Sequence, residues 1–333
     1  MGQSRDLVGA GCGSVVVSPT GAGDGRHVGG AVIDALQVLW TPAGDNLSSR
    51  DSRVLVDITD GDTPNIRMPI RMLSVDTPEV TAENDAGAAK VDAKLAQLAD
   101  WIDQGKAPIS PSLAAVLKPK LATGKAGTLH FQQGQKASAF AKQNADTRLG
   151  RPGQKPRNLF VRTADSPFDN NHRLLAYVAP NYTPAELKKL SREQRSTFNL
   201  DLVVEGWAAT FVIYPAVPGE LDLPLLVDAA ATARSAERGI WKDPDTLLAY
   251  EYRAMEKLFT VTEKIVNKKP LRSGEAWGWR ERYCVDMRSR RLHGPEAWIE
   301  VPPEYRLFLW PQDVSDAVSR LNLVPAPELV AVR

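Results

Sequence analysis

The sequence predicts an α+β fold: a five-stranded, OB-type Greek-key β-barrel with packed helices, enlarged by helical insertions and a C-terminal accessory region. Three observations predict it. Residues 52–59 alternate Val54, Val56 and Ile58 against Arg53, Leu55 and Asp57, and an Asp60-Gly61-Asp62 turn leads into a return strand over residues 66–75. A second hairpin pattern covers residues 158–163 and 174–178. Apolar residues at helical spacing fill residues 136–145, 199–208 and 225–238, three helices to cover the barrel.

Taken in order, residues 1–30 hold many glycines and little apolar periodicity, the pattern of a flexible tail. Residues 31–40 are apolar enough to add a strand or a short packed segment. Pro64 removes a ladder donor directly after the first turn, so the return strand is expected to begin at Asn65 or later. Between Glu79 and Gly134, Val91, Leu95, Leu98 and Trp101 predict a helix over 88–104, and 112–121 a second. That insertion therefore folds, either as a lid or selector over the neighbouring segment or as passive packing. Thr183-Pro184-Ala185-Glu186 is a capping box opening a helical element that runs to Ser196. The helix over 225–238 stops at Gly239, and another is expected over 247–266. The resulting organisation is a tail (1–30), a main domain (31–245) with insertions at 80–133 and 181–197, and an accessory region (246–333) whose end, from Pro325, reads as loosely ordered.

With 333 residues, 43% of them hydrophobic, the chain can build one large or two modest cores. A net charge of +1 argues against a polyelectrolyte that coats nucleic acid, so any nucleic-acid contact should be local. Cys12 and Cys284 offer neither a disulfide framework nor metal-ligand spacing. No segment approaches a membrane span, and residues 1–23 lack the apolar core of a secretory signal, so no membrane contact and a cytoplasmic chain are expected, with secretion as the alternative. Trp277, Trp279 and Trp298 among Arg280, Arg282, Arg288, Arg290 and Arg291 read as core tryptophans and solvated arginines; the alternative is single-strand binding by stacking and phosphate contact.

The chemistry concentrates in two blocks, Asp60-Gly61-Asp62-Thr63 and Arg71-Met72-Leu73-Ser74-Val75-Asp76-Thr77-Pro78-Glu79. Four carboxylates placed on one hairpin repel one another unless a cation or an arginine sits among them. Oxygen donors without His or Cys favour calcium or magnesium over zinc.

These blocks resemble the core of the staphylococcal nuclease-like family, whose pattern is Asp-Gly-Asp-Thr followed by Arg-x-x-x-x-Asp-Thr-Pro-Glu. The resemblance continues through 134–140, 169–177, 199–206 and 233–241 in the family's order. It implies a metal-dependent endonuclease that hydrolyses DNA or RNA, prefers unpaired strands and leaves 3′-phosphate ends. By that likeness Asp62, Asp76 and the carbonyl of Thr77 would hold Ca2+, with Mg2+ possible, and Asp60 would act nearby through water or hydrogen bonds. Glu79 would activate or orient the water, and Arg71 and Arg173 would hold the phosphate as planar forks that lysine cannot replace. Tyr214 matches one aromatic position that contacts nucleotide, while Val212 stands at the other. Asn171-His172-Arg173 departs from the family's Tyr-Gly-Arg; His and Asn tolerate a positive φ well enough for the turn to survive, and His172 reads as a spectator. His27, His130 and His293 are scattered and suggest no metal site. The rival expectation is a non-catalytic nucleic-acid-binding or regulatory subunit, with the insertion or C-terminal region docking a protein partner.

Overall fold

The computed structural model describes residues 55–330, apart from Gly61 and Asn170. The expected tail, the segment 31–40, the start of the first strand at 52–54, Cys12 and His27 lie outside the described residues. β1 (Leu55–Ile58) and β2 (Pro64–Ile66) form an antiparallel hairpin, Leu55 opposite Ile66, with every residue exposed. Pro64 opens β2 instead of preceding it, which corrects the expected start at Asn65: the first residue of a strand needs no ladder donor.

The single return strand expected over 66–75 is in fact three pieces. β3 (Ile70–Met72) pairs parallel with β6 (Leu174–Pro180), which pairs antiparallel with β5 (Leu159–Phe168). Pro69, with no N–H to donate, separates β2 from β3. Ser74 then turns the chain at φ 62°, so β4 (Ser74–Asp76) leaves that sheet and pairs antiparallel with β7 (Ala209–Ile213), Asp76 opposite Ala209. A bend that moves one strand between two sheets is how sheets form corners. The buried Asn199 fixes this corner, donating to the carbonyls of Leu73 and Ala176 and accepting from Val178 N–H at 3.0 Å.

The ladders therefore make three sheets, and a closed five-stranded barrel is not seen among the described residues. β8 (Tyr283–Asp286), β9 (Arg291–His293), β10 (Arg306–Leu309) and β11 (Val324–Pro325) join a six-stranded sheet in the order β11-β9-β8-β10-β7-β4. The edge of β7 away from β4 is taken by β10, in parallel, so the sheet extends into the C-terminal residues instead of curling shut.

Helices α1 (Asp85–Asp103) and α2 (Pro111–Ala122) lie where apolar spacing predicts them, capped by Asn84 and Ser110 and burying Leu95 and Leu98, and Leu113, Leu117 and Leu121. α3 (Ala126–Leu149) starts ten residues before the expected 136 because His130, Phe131, Gln133 and Gly134 already line its buried face. The capping box at Thr183 is present, yet α4 (Pro184–Leu187) is one turn long. α5 (Phe198–Val204), α6 (Asp222–Ser235), α7 (Ala249–Val266), α8 (Val314–Leu321) and α9 (Pro327–Val330) follow. Residues 326–330 are ordered where a loose end was expected from Pro325, because Ala326 is buried and its N–H donates to Leu292 O at 2.8 Å; residues 331–333 lie outside the described residues. α7 packs Met255 and Leu258 into a core shared with α1, α2, Phe211 and Phe308; full burial of each contributes about 1.5–3 kcal/mol. Among the described residues no helix is long and apolar enough to cross a membrane.

Candidate active site

The corner at Ser74 delivers Arg71 and Asp76 to one another: Arg71 Nη2 stands 2.8 Å from Asp76 Oδ1. Asp76 is only 1% exposed, so its charge needs partners. The second partner comes from α7. Arg253 Nη2 donates to Asp76 Oδ2 at 2.6 Å, and its Nη1 donates to Glu79 Oε1 at 2.7 Å. Burial works against the charge on Arg253, but Asp76 and Glu79 outweigh it and hold the guanidinium protonated above its usual range. Two carboxylates and two guanidinia thus form one compact, charge-balanced group.

Glu79 is held from behind as well. Its N–H donates to His130 Nε2 at 2.9 Å, which leaves the imidazole proton on Nδ1. The ring is fixed by face-to-face stacking on Tyr252 of α7, centroids 3.8 Å apart. Burial pushes the His130 pKa down to about 4, so the ring stays neutral near pH 7. α3 can approach this backbone because of Gly134, where a Cβ would stand 2.8 Å from Glu79 O and 2.9 Å from Pro78 O.

Arg173 immediately precedes β6. Register sets Arg71 opposite Leu175, and Arg173 lies two residues before Leu175, the spacing that returns to the same face. Its guanidinium is oriented by Asp169, Nη2 to Oδ2 2.7 Å, and the intervening turn places His172 at φ 56°, the left-handed region expected for that position. Burial pushes the Asp169 carboxyl up, but the Arg173 N–H and guanidinium pull it below the usual range.

The expected gathering of Asp60, Asp62, Asp76 and Glu79 on one hairpin is not what the chain forms. Asp60 and Asp62 stand at the exposed β1–β2 turn, where the Thr63 hydroxyl donates to Asp62 at 3.3 Å; hydrogen bonds from Thr63 and Asp62 pull the Asp60 carboxyl down. Asp76, the half-buried Thr77 and Glu79 lie beyond the breaks at Pro69 and Ser74. Among the described residues no three His, Cys, Asp or Glu side chains converge as a metal site. Tyr214, expected to touch substrate, is buried in the core and its hydroxyl donates to Asp316.

Arg253 and His130 are the participants that the sequence reading missed. The signal for Arg253 was a charged pair, Glu251 and Arg253, beside the buried run Ala249–Tyr252; charges against an apolar face require buried partners. Of the C-terminal arginines expected to be solvated, Arg288, Arg290 and Arg291 are exposed, whereas Arg280 and Arg282 are half-buried. Arg282 lies over the rings of Phe211, Phe308 and Trp310, and Arg306 is buried against Tyr250 and Glu251. Trp279 and Trp298 are core, whereas Trp277 is exposed beneath Arg280.

Residues 69–243 match the family model described as staphylococcal nuclease homologue. The matched span begins after the Asp60 turn and ends before Arg253. A 189-residue stretch is 26% identical to Endonuclease YhcR of Bacillus subtilis (strain 168); the match covers 56% of this chain and 14% of that relative.

Proposed function

The chain belongs to the staphylococcal nuclease homologue family, and from that premise we propose that it hydrolyses phosphodiester bonds of DNA or RNA, with unpaired strands as the preferred substrate. The observation that carries the proposal is the placement of Glu79: one carboxylate oxygen is held by Arg253, the backbone is held by His130, and Oε2 makes no hydrogen bond among the described residues. A carboxylate so oriented, with Arg71 paired to the adjacent Asp76, suits in-line attack by water.

In this reading the water oxygen bonds to phosphorus, its proton passes to Glu79 Oε2, and the bond from phosphorus to the 5′ oxygen breaks. The leaving oxygen takes a proton from solvent, and a 3′-phosphate end remains. Arg71 and Arg173 bind the non-bridging oxygens, where negative charge grows in the transition state.

A divalent cation, calcium first and magnesium second, belongs to the proposal through the family likeness, with Asp62, Asp76 and the Thr77 carbonyl as donors and Asp60 near them. The donors as arranged here do not fit it. Both Asp76 oxygens accept from guanidinia, and Asp62 lies on a separate exposed hairpin. That separation also favours a second reading, a nucleic-acid-binding subunit without hydrolysis.

The test is cleavage of end-labelled single-stranded DNA in calcium, in magnesium and in chelator, by the parent chain, Glu79→Gln and Arg71→Ala. Cation-dependent cleavage with 3′-phosphate ends, lost in both variants, supports the enzyme and its roles. Strand binding by a folded parent that cleaves under none of these conditions supports the second reading.

A further inference from the structure

Beside the Asp76 group, a cavity of about 90 Å³ opens between α7 and the segment 278–282. Arg253, Lys257, Arg280, Arg282 and Trp310 line it, with Glu281 as its carboxylate. Three of the four cations are already paired. Arg253 holds Asp76 and Glu79, Lys257 holds Glu281 at 3.1 Å, and Arg280 holds Glu296. Arg282 differs: among the described residues it has no ion pair and no side-chain hydrogen bond. Its guanidinium is instead packed 5.0 Å from the Phe211 centroid, 5.7 Å from Phe308 and 5.4 Å from Trp310.

A half-buried guanidinium with aromatic rings beneath it and no acceptor is an incomplete arrangement. Burial, and then the neighbouring Arg253, both act against its charge. An anion entering the cavity would relieve both, and 90 Å³ has room for a phosphate group. Arg253 faces this cavity and also grips the Asp76–Glu79 pair, so the two places share a wall.

We infer that the Arg282 cavity is a phosphate subsite for the nucleic-acid strand, binding a phosphate that flanks the one positioned at Arg71 and Glu79. The inference rests on the nuclease reading for its substrate but lies outside the matched residues 69–243. Arg282 in this role is a binding residue that fixes where along the strand the reaction occurs, and α7 couples the subsite to Glu79 through one guanidinium.

The experiment is equilibrium binding of fluorescein-labelled oligodeoxythymidylate to the full chain in chelator, at several salt concentrations, in the Glu79→Gln background. Arg282→Met should weaken binding about tenfold at low salt and reduce the slope of log K against log salt by about 0.7, the value for one lost phosphate contact on a single strand. Arg282→Lys should restore the slope and only part of the affinity. Lys257→Glu, an exposed change on the cavity rim checked for folding by its urea midpoint, should weaken binding more than Lys188→Glu beside α4. Unchanged affinity and slope in folded Arg282→Met overturns the inference, as does equal weakening by the two lysine reversals if Arg282→Met does not fold. Because binding is read without cleavage, a parent that binds through Arg282 but never cleaves removes the nuclease reading and leaves the subsite. A parent that cleaves while Arg282→Met binds as tightly removes the subsite alone.

Discussion

Arg253 Nη2 and Asp76 Oδ2 stand 2.6 Å apart across 177 positions of sequence. A buried carboxylate in a segment that the family model covers is thus neutralised by a helix that it does not cover. The same guanidinium reaches Glu79, so α7 sets both the charge balance and the geometry of the candidate site.

Arg253→Met keeps the volume of the stem but leaves Asp76 with Arg71 alone. Removing one partner of a buried ion pair costs roughly 3–5 kcal/mol because the remaining charge stays desolvated; the partial exposure of Arg253 places this case near 3 kcal/mol. Urea unfolding at pH 7 measures it. A loss below about 1 kcal/mol would mean that Asp76 finds water or another partner, and that α7 is not what stabilises the corner.

His130 gives the fold a defined response to acid. Its pKa falls from about 6.5 in the unfolded chain to about 4 in the folded one, so the unfolded state binds more protons between those values. Stability from this group is complete above pH 6.5 and is lost as pH falls toward 4. Between pH 7 and pH 5 the loss is about 2 kcal/mol. His130→Gln should flatten that part of the urea-unfolding pH profile; an unchanged slope would place the titration on another group.

How much of this was legible in the sequence follows from which forces are local. α1, α2 and the capping box at Thr183 announced themselves through spacing and caps that act within one turn. The positive φ at His172 followed from a missing glycine. The break of residues 66–75 into three strands was less visible, because Ser74 carries no mark of a left-handed turn; the turn is held by the Asn199 bonds to Leu73 and Ala176, more than a hundred residues away for Leu73. Arg71 pairs with Asp76, and Arg253 links Asp76 to Glu79, whereas Asp60 and Asp62 stand at the exposed turn. The partners His130 and Arg253 are set by packing of α3 and α7, which no short motif encodes.

Tyr214 separates a core role from a substrate role. Its ring is buried and its hydroxyl donates to Asp316 on α8. Tyr214→Phe should therefore lower stability by about 1 kcal/mol, the net contribution of one such hydrogen bond, and leave KM for single-stranded DNA unchanged. A severalfold rise in KM with stability intact would return Tyr214 to the substrate.

Gly134→Ala tests whether the backbone of Glu79 must sit where α3 holds it. Alanine in a helix is favoured over glycine by about 1 kcal/mol, so on propensity alone the change would stabilise. The new Cβ would meet Glu79 O at 2.8 Å and Pro78 O at 2.9 Å, and neither atom is the end of a flexible side chain. Something in 78–79 must move, and the N–H bond to His130 moves with it. If Glu79 orients water as proposed, a shift of a few tenths of an ångström in its carboxylate is expected to cost about tenfold in kcat while leaving strand binding in chelator within about twofold. The kcat and binding measurements together decide the matter: equal losses in both would mean that α3 supports the whole strand-binding surface, and no loss in either would show that residues 78–79 yield without consequence.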